Sequence, residues 1–242
     1  MFAEFIAEQA RPFFDYLKLA VDTTFRPIKV AHQIKLGDRE DFKYRLTFFL
    51  AICALWISLQ TFAAAYLDVD VMPARIDTFW QYLQPILAGS MFLLLYLPMR
   101  ILRWTRLKFS EYFQAAAMSM GPGLFQQPFI LLPAFLVVGI YGHPNANDPA
   151  IEGILNQPGA EALSLCAPDF SSLMCLNSFG SVAPETAWTG DFILLINLIF
   201  LVPVVMLIKH ATGIAYWKQA ASFAIILMVI AGVGLAIENL YT

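Results

Sequence analysis

The residues able to do chemistry in this 242-residue chain are few and scattered. His32, His143 and His210 stand far apart, with no i, i+3 or i, i+4 pair of metal-ligand spacing. No H-E-x-x-H helix, Walker loop or G-x-S-x-G elbow occurs. Asp148, Glu152, Glu161, Asp169 and Glu185 share one stretch, 142–190, with only His143 for company. A solvated acidic loop is therefore expected there, not a pair of groups poised for acid–base work. Cys166 and Cys175 lie in the same stretch and are expected to form a disulfide in an oxidising compartment. Cys53 sits in an apolar run and reads as a small buried residue. Three cysteines are too few for a four-thiolate zinc site. The expectation is no catalytic residue, no metal and no cofactor.

Four amides, Gln60, Gln126, Gln127 and Asn197, lie within apolar runs. Of these, Asn197 is expected to hydrogen-bond a neighbouring helix rather than to coordinate an ion. Gly121-Pro122-Gly123 interrupts another run. Unwound backbone there would line a cavity and give a transported solute a place to bind; a packing kink is the plainer expectation.

These groups must be positioned by apolar helices. The chain is 59% hydrophobic and 14% charged, with a mean hydropathy of +0.65, where a soluble domain carries about 25% charged residues. Five stretches approach the roughly 20 residues a helix needs to cross hydrocarbon: Leu46–Leu67, Gln81–Leu102, Glu111–Tyr141, Asp191–Ile208 and Trp217–Ile237. The third contains Pro122, Pro128 and Pro133, so it reads as one bent crossing or as a short helix followed by a spanning one. The expected fold is an all-α integral membrane protein: a cytoplasmic segment over 1–45, then a five-helix domain over 46–242 with a long outer loop at 142–190. A net charge of −3 gives no reason to expect a nucleic-acid partner.

The cations set the orientation. Eight of the fifteen Lys and Arg precede the first span, four lie at 100–108 and two at 209–218, against a lone Arg75 in the first outer connection. The positive-inside rule makes the basic side cytoplasmic, with the N-terminus inside and the C-terminus outside. Trp80 and Trp188 fall at the expected outer boundary, Trp104 and Trp217 at the inner one. Phe2, Phe5, Ile6, Phe13 and Leu17 oppose Glu4, Glu8, Arg11, Asp15 and Lys18, the pattern of an amphipathic helix in the inner interface, with a break or restart at Pro12. No apolar core followed by a small-residue cleavage site opens the chain, so a cleaved signal peptide is not expected. A second short helix is expected from Pro27 to Gly37. Arg26, Lys29, Lys35 and Arg39 would there meet anionic lipid headgroups.

Three segments carry a resemblance to the Yip1-domain family of polytopic membrane proteins: FRPIKVAHQIKLGDREDFKYRLTFFL, LKFSEYFQAAAMSMGPGLFQQPFILLP and LIKHATGIAYWKQAASFAIILMV. The outer loop is longer than the family pattern. The resemblance implies an integral membrane protein without catalytic residues, of a bacterial inner-membrane type, that shapes membrane or organises other membrane subunits. Small residues suited to close helix contact, Ala115, Ala116, Ser119 and Gly121, with Gly232 and Gly234, fit such a scaffold or accessory subunit. The alternative expectation is a small-molecule or lipid transporter.

Overall fold

In the computed structural model, residues 2–72, 92–158, 160–166, 170–183 and 188–241 are described, without the side chains of 2–11, 161–162, 230–231 and 233–241. The secondary structure is helical: α1 (Phe2–Phe25), α2 (Pro27–Ala31), α3 (Arg39–Leu67), α4 (Tyr96–Ile101), α5 (Phe109–Ala116), α6 (Met120–Tyr141), α7 (Pro149–Leu155), α8 (Glu161–Ser164), α9 (Leu173–Val182), α10 (Trp188–Thr212) and α11 (Tyr216–Tyr241). Among the described residues no strand forms, and the sole strand-like pairing is an isolated parallel bridge between Asp70 and Ser172.

Local chemistry explains the helix starts. Asp38 caps α3: its Oδ1 accepts the backbone N–H of Glu40 at 2.8 Å and of Asp41 at 3.0 Å. The N–H groups of Asp41 and Glu40 hold the Asp38 carboxyl below its ordinary value. The cap is thus fully present above the ordinary aspartate range and is lost as pH falls through the lowered value. At α5, Glu111 reaches back to accept the Lys108 N–H at 2.7 Å. A 3-10 turn, Ala117–Ser119, joins α5 to α6 without a gap. Pro122 falls in the first turn of α6, where its missing N–H costs little, and the helix continues through Pro128 and Pro133.

Three runs among the described residues are long and apolar enough to cross a membrane: Arg39–Leu67, Phe109–Tyr141 and Trp188–Thr212. The 33 residues of the second run reach about 50 Å at 1.5 Å per residue, more than one hydrocarbon thickness of about 30 Å. Of the expected segment Gln81–Leu102, residues up to 91 lie outside the described set, and Phe92–Ile101 is an apolar helical run. The expected fifth segment falls within α11, a 26-residue helix.

The chain divides into two compact units. The first comprises Met1–Ile52, Leu87–Pro122 and Leu201–Thr242; the second comprises Cys53–Ile86 and Gly123–Phe200. In the first, α1 passes through Pro12 without the expected break, because that residue is carried inside a continuous 24-residue helix. Tyr16, Ala20 and Thr23, spaced i, i+4 and i+7, form its inward side; Tyr16 meets the rings of Tyr44 and Phe48 at 5.7 and 6.2 Å. Phe14, Val21 and Phe25 are exposed on the opposite side. α2 starts at the expected Pro27 but ends at Ala31, short of Gly37, which forms a separate turn at φ +84°.

In the second unit the stretch expected as an outer loop is largely folded. Asp148 caps α7 and Ser172 caps α9. Ile151, Ile154, Leu163, Phe170, Leu176 and Phe179 are buried with Leu67, Leu131, Ala134 and Val137 of α3 and α6 in one apolar core. The apolar groups Ile151, Ile154 and Leu163 of this stretch are consumed inside their own chain. Burial of apolar surface, at about 25 cal/mol per Å2, supplies the reason.

Gly121 shows how tightly α1 is seated. A Cβ there would run into Thr23 Oγ1 and lie 3.0 Å from Ala20 Cα. Gly121→Ala is expected to destabilise the first unit by about 1–3 kcal/mol through overpacking. Adding Thr23→Ala should return part of the loss, measured by denaturant titration in detergent with helical circular dichroism. Equal stability of the Gly121→Ala variant and the parent would show that α1 does not pack there.

Candidate functional site

The densest polar construction within the first unit is centred on Gln114, a fully buried residue of α5. Its Oε1 accepts the Gly37 N–H at 2.8 Å. Its Nε2 lies 3.1 Å from each of Lys35 O, Asp38 O and Asp41 Oδ2, so two hydrogens are shared among three acceptors. Asp41 is in turn paired with Arg45: Nη2 to Oδ1 at 3.1 Å and Nε to Oδ2 at 3.4 Å, with side chains only 12% and 6% exposed. Arg45 Nη1 also approaches Met118 Sδ at 3.4 Å. A buried ion pair is not stabilising by default, because desolvation costs as much as attraction returns. Here the carboxylate gains a third donor from Gln114, and the whole cluster fixes the 35–38 turn onto α5.

This cluster divides the basic segment into two kinds of cation. Arg45 is spent inside the chain. Arg26, Lys29, Lys35 and Arg39, the residues expected to meet headgroups, are all exposed; Arg26 has Asp22 at 4.0 Å. Where α10 ends and α11 begins, Trp217 meets Trp104 edge to face at 5.2 Å. Lys218 Nζ donates to Trp104 O at 3.2 Å, and Lys209 Nζ sits 4.1 Å over the Tyr216 ring. His32 and His210, 178 positions apart by their numbers, are brought to a ring separation of 6.1 Å. Spacing along the chain carried no sign of that meeting. Among the described residues no group of three His, Cys, Asp or Glu could hold a metal.

The small residues divide as well. Ala115, Ala116, Ser119 and Gly121 are buried within the chain, so this stripe serves its own helices. Gly232 is exposed, and a Cβ built on it would meet nothing within 4 Å; Gly234 lies beyond the described side chains. Gly121-Pro122-Gly123 is helical, not unwound, with Gly123 lying 3.1 Å (from its would-be Cβ) beneath the Trp56 ring. A solute site built on unwound backbone at that point is therefore corrected: the glycines serve close packing. In the second unit, Cys166 and Cys175 are joined as a disulfide with a Cα separation of 5.6 Å, while Cys53 is free and buried.

The four amides of the apolar runs pair. Gln60 Nε2 donates to Gln127 Oε1 at 3.4 Å, and Gln126 Nε2 donates to Asn197 Oδ1. An apolar cavity of about 290 Å3 in the first unit is lined in part by Phe92, Leu95, Val204, Ile208, Tyr216 and Gln219. Gln219 gives its Nε2 to Ile214 O at 3.1 Å, and its buried Oε1 has no protein partner.

Fold and site together define an all-helical protein whose long apolar helices are compatible with membrane insertion. No protein-family model, curated protein or solved structure matches the chain.

Two outcomes follow from this geometry. Gln114→Glu keeps the side-chain shape but removes both amide donors and sets a second carboxylate against Asp41. It should cost about 1–3 kcal/mol, read as a lowered denaturant midpoint, and Gln114→Asn should not restore it. A Gln114→Glu variant as stable as the parent would remove the cluster's structural role. For the disulfide, denatured unreduced protein should take one alkylating tag, at Cys53, and reduced protein three. Cys166→Ser should lower the stability of the second unit by about 2–3 kcal/mol, the chain-entropy value for so short a loop.

Proposed function

We propose that this protein is a Yip1-like, non-enzymatic integral membrane protein that organises membrane subunits. In this reading it lies in a bacterial inner membrane, crosses five times, and keeps its N-terminus in the cytoplasm and its C-terminus outside. The observation that carries the reading is how its interior polar groups are used. Gln114, Asp41 and Arg45 hold a turn to a helix, and Gln60 and Gln127 bond each other. Chemistry-bearing groups are thus committed to architecture, while apolar side chains such as Leu194, Leu195, Leu198 and Ile199 face outward along α10. The exposed Phe14, Val21 and Phe25 of α1, beside exposed Lys18 and Arg26, suit a helix lying at an anionic headgroup surface.

Purification in mild detergent is expected to recover the protein in a defined assembly of membrane chains at fixed stoichiometry. Recovery as a lone chain that moves a solute across reconstituted vesicles would replace this function with transport. For the orientation, a fluorescent reporter that matures only in the cytoplasm should stay dark after Thr242 and become bright after Lys108. A bright C-terminal fusion overturns the five-crossing arrangement.

A further inference from the structure

We propose that the Gln126–Asn197 pair marks the face through which two copies of this chain associate within the membrane. The inference deepens the organising role proposed above and rests on α6 and α10 crossing the bilayer. Asn197 lies nine residues after Trp188 and twelve before Lys209, about 13 and 18 Å along the helix from residues suited to the two interfaces. At that depth an acyl chain offers no hydrogen-bond partner.

The pair is nevertheless on the surface. Asn197 is exposed, flanked on the same helix by Leu194 at 60% and Leu198 at 53% exposure. Phe129, 43% exposed, extends the patch along α6 and meets Phe200 at 5.9 Å. The internal bonds use only part of the amides' capacity. Gln126 Nε2 gives one hydrogen to Asn197 Oδ1, and Asn197 Nδ2 gives one to Ile193 O at 2.8 Å. Each carboxamide has two hydrogens and an oxygen with two lone pairs. The second hydrogens of both amides and the Gln126 oxygen therefore remain for a neighbour.

Gln60 and Gln127 provide the contrast within the same unit. They bond each other with Gln127 only 2% exposed, so that amide pair is enclosed by its own chain. The Gln126–Asn197 pair offers donors and an acceptor side by side. A two-fold axis at such a patch sets the donors of one copy against the acceptor of the other, and the reverse, with the flanking leucines packing around them. A second copy supplies this complement by symmetry alone; no other partner is guaranteed to.

The test uses the full-length protein in native membranes. Leu194→Cys and Leu198→Cys, made singly, should give a covalent dimer of doubled mass on mild oxidation, and Phe62→Cys, exposed on α3, should not. Gln126→Leu with Asn197→Leu, suited to a lipid-facing surface, should weaken self-association about three- to thirtyfold by energy transfer between labelled copies. Extraction at alkaline pH separates the two levels of inference. A chain washed off the membrane defeats the membrane-crossing reading itself. A chain that stays inserted but gives no dimer, or a dimer unaffected by the double substitution, overturns the self-association proposal alone. Cross-linking of Leu198→Cys to a chain of different mass also overturns it, assigning the face to another membrane protein.

Discussion

One carboxamide organises the first unit of this protein. Gln114 sits where a chain leaving α2 must turn through Gly37 and enter α3 within two residues. Such a turn presents backbone N–H and C=O groups that neither helix can satisfy, and leaving them unpaired would cost about 1–3 kcal/mol each if buried. Gln114 meets the Gly37 N–H and the Lys35 and Asp38 carbonyls from a neighbouring helix. A side chain with only donors or only acceptors could not do both. The same amide contacts Asp41, so the placement of the Arg45 pair depends on it too.

The second unit reaches its stability by another route. Its connections carry few polar clamps and much apolar burial: Phe170 and Phe179 stack at 5.4 Å, and Tyr141 meets Phe179 at 5.2 Å. The Cys166–Cys175 link closes a short segment beside this core. Leu173 N donates to Asp70 O at 2.7 Å, tying the chain after α3 to the start of α9. What hydrogen-bond geometry does at the Gly37 turn is done here by packing and one covalent bond.

Much of the helical layout was legible in the sequence because long apolar runs and prolines at first turns act locally. The expected Leu46–Leu67 and Asp191–Ile208 fall inside the helices Arg39–Leu67 and Trp188–Thr212, and α2 starts at the expected Pro27. The interior of the outer stretch was harder to read. Its helices are four to ten residues long, too short for periodicity to declare itself, and their apolar groups look alike whether they face lipid, a partner or their own core. The Gln114 cluster and the meeting of His32 with His210 depend on residues 73 or more positions apart, which no local pattern encodes. At Gly121-Pro122-Gly123 a packing role was the plainer expectation, and the contacts give its physical reason. Glycine and proline mark broken backbone in water-soluble chains, but beside Ala20, Thr23 and Trp56 the missing Cβ atoms are what allow close approach.

A chain whose long apolar helices are compatible with membrane insertion must find its specificity elsewhere than in those helices. Apolar faces such as that of α10 would adhere to lipid and to other apolar helices almost equally, so they could not select a neighbour. Selection would have to come from polar groups with hydrogen-bonding capacity left over. In the first unit the clustered capacity around Gln114 is turned inward and largely used. In the second unit Gln60 and Gln127 bond each other. The Gln126–Asn197 pair differs in being bonded while Asn197 stays exposed and Gln126 only half-buried. Their mutual bond fixes both side chains, so a partner would meet donors and an acceptor already oriented and would lose less side-chain entropy in binding. Prior pairing of this kind makes a weak polar contact directional, and direction is what an otherwise uniform apolar helix face lacks.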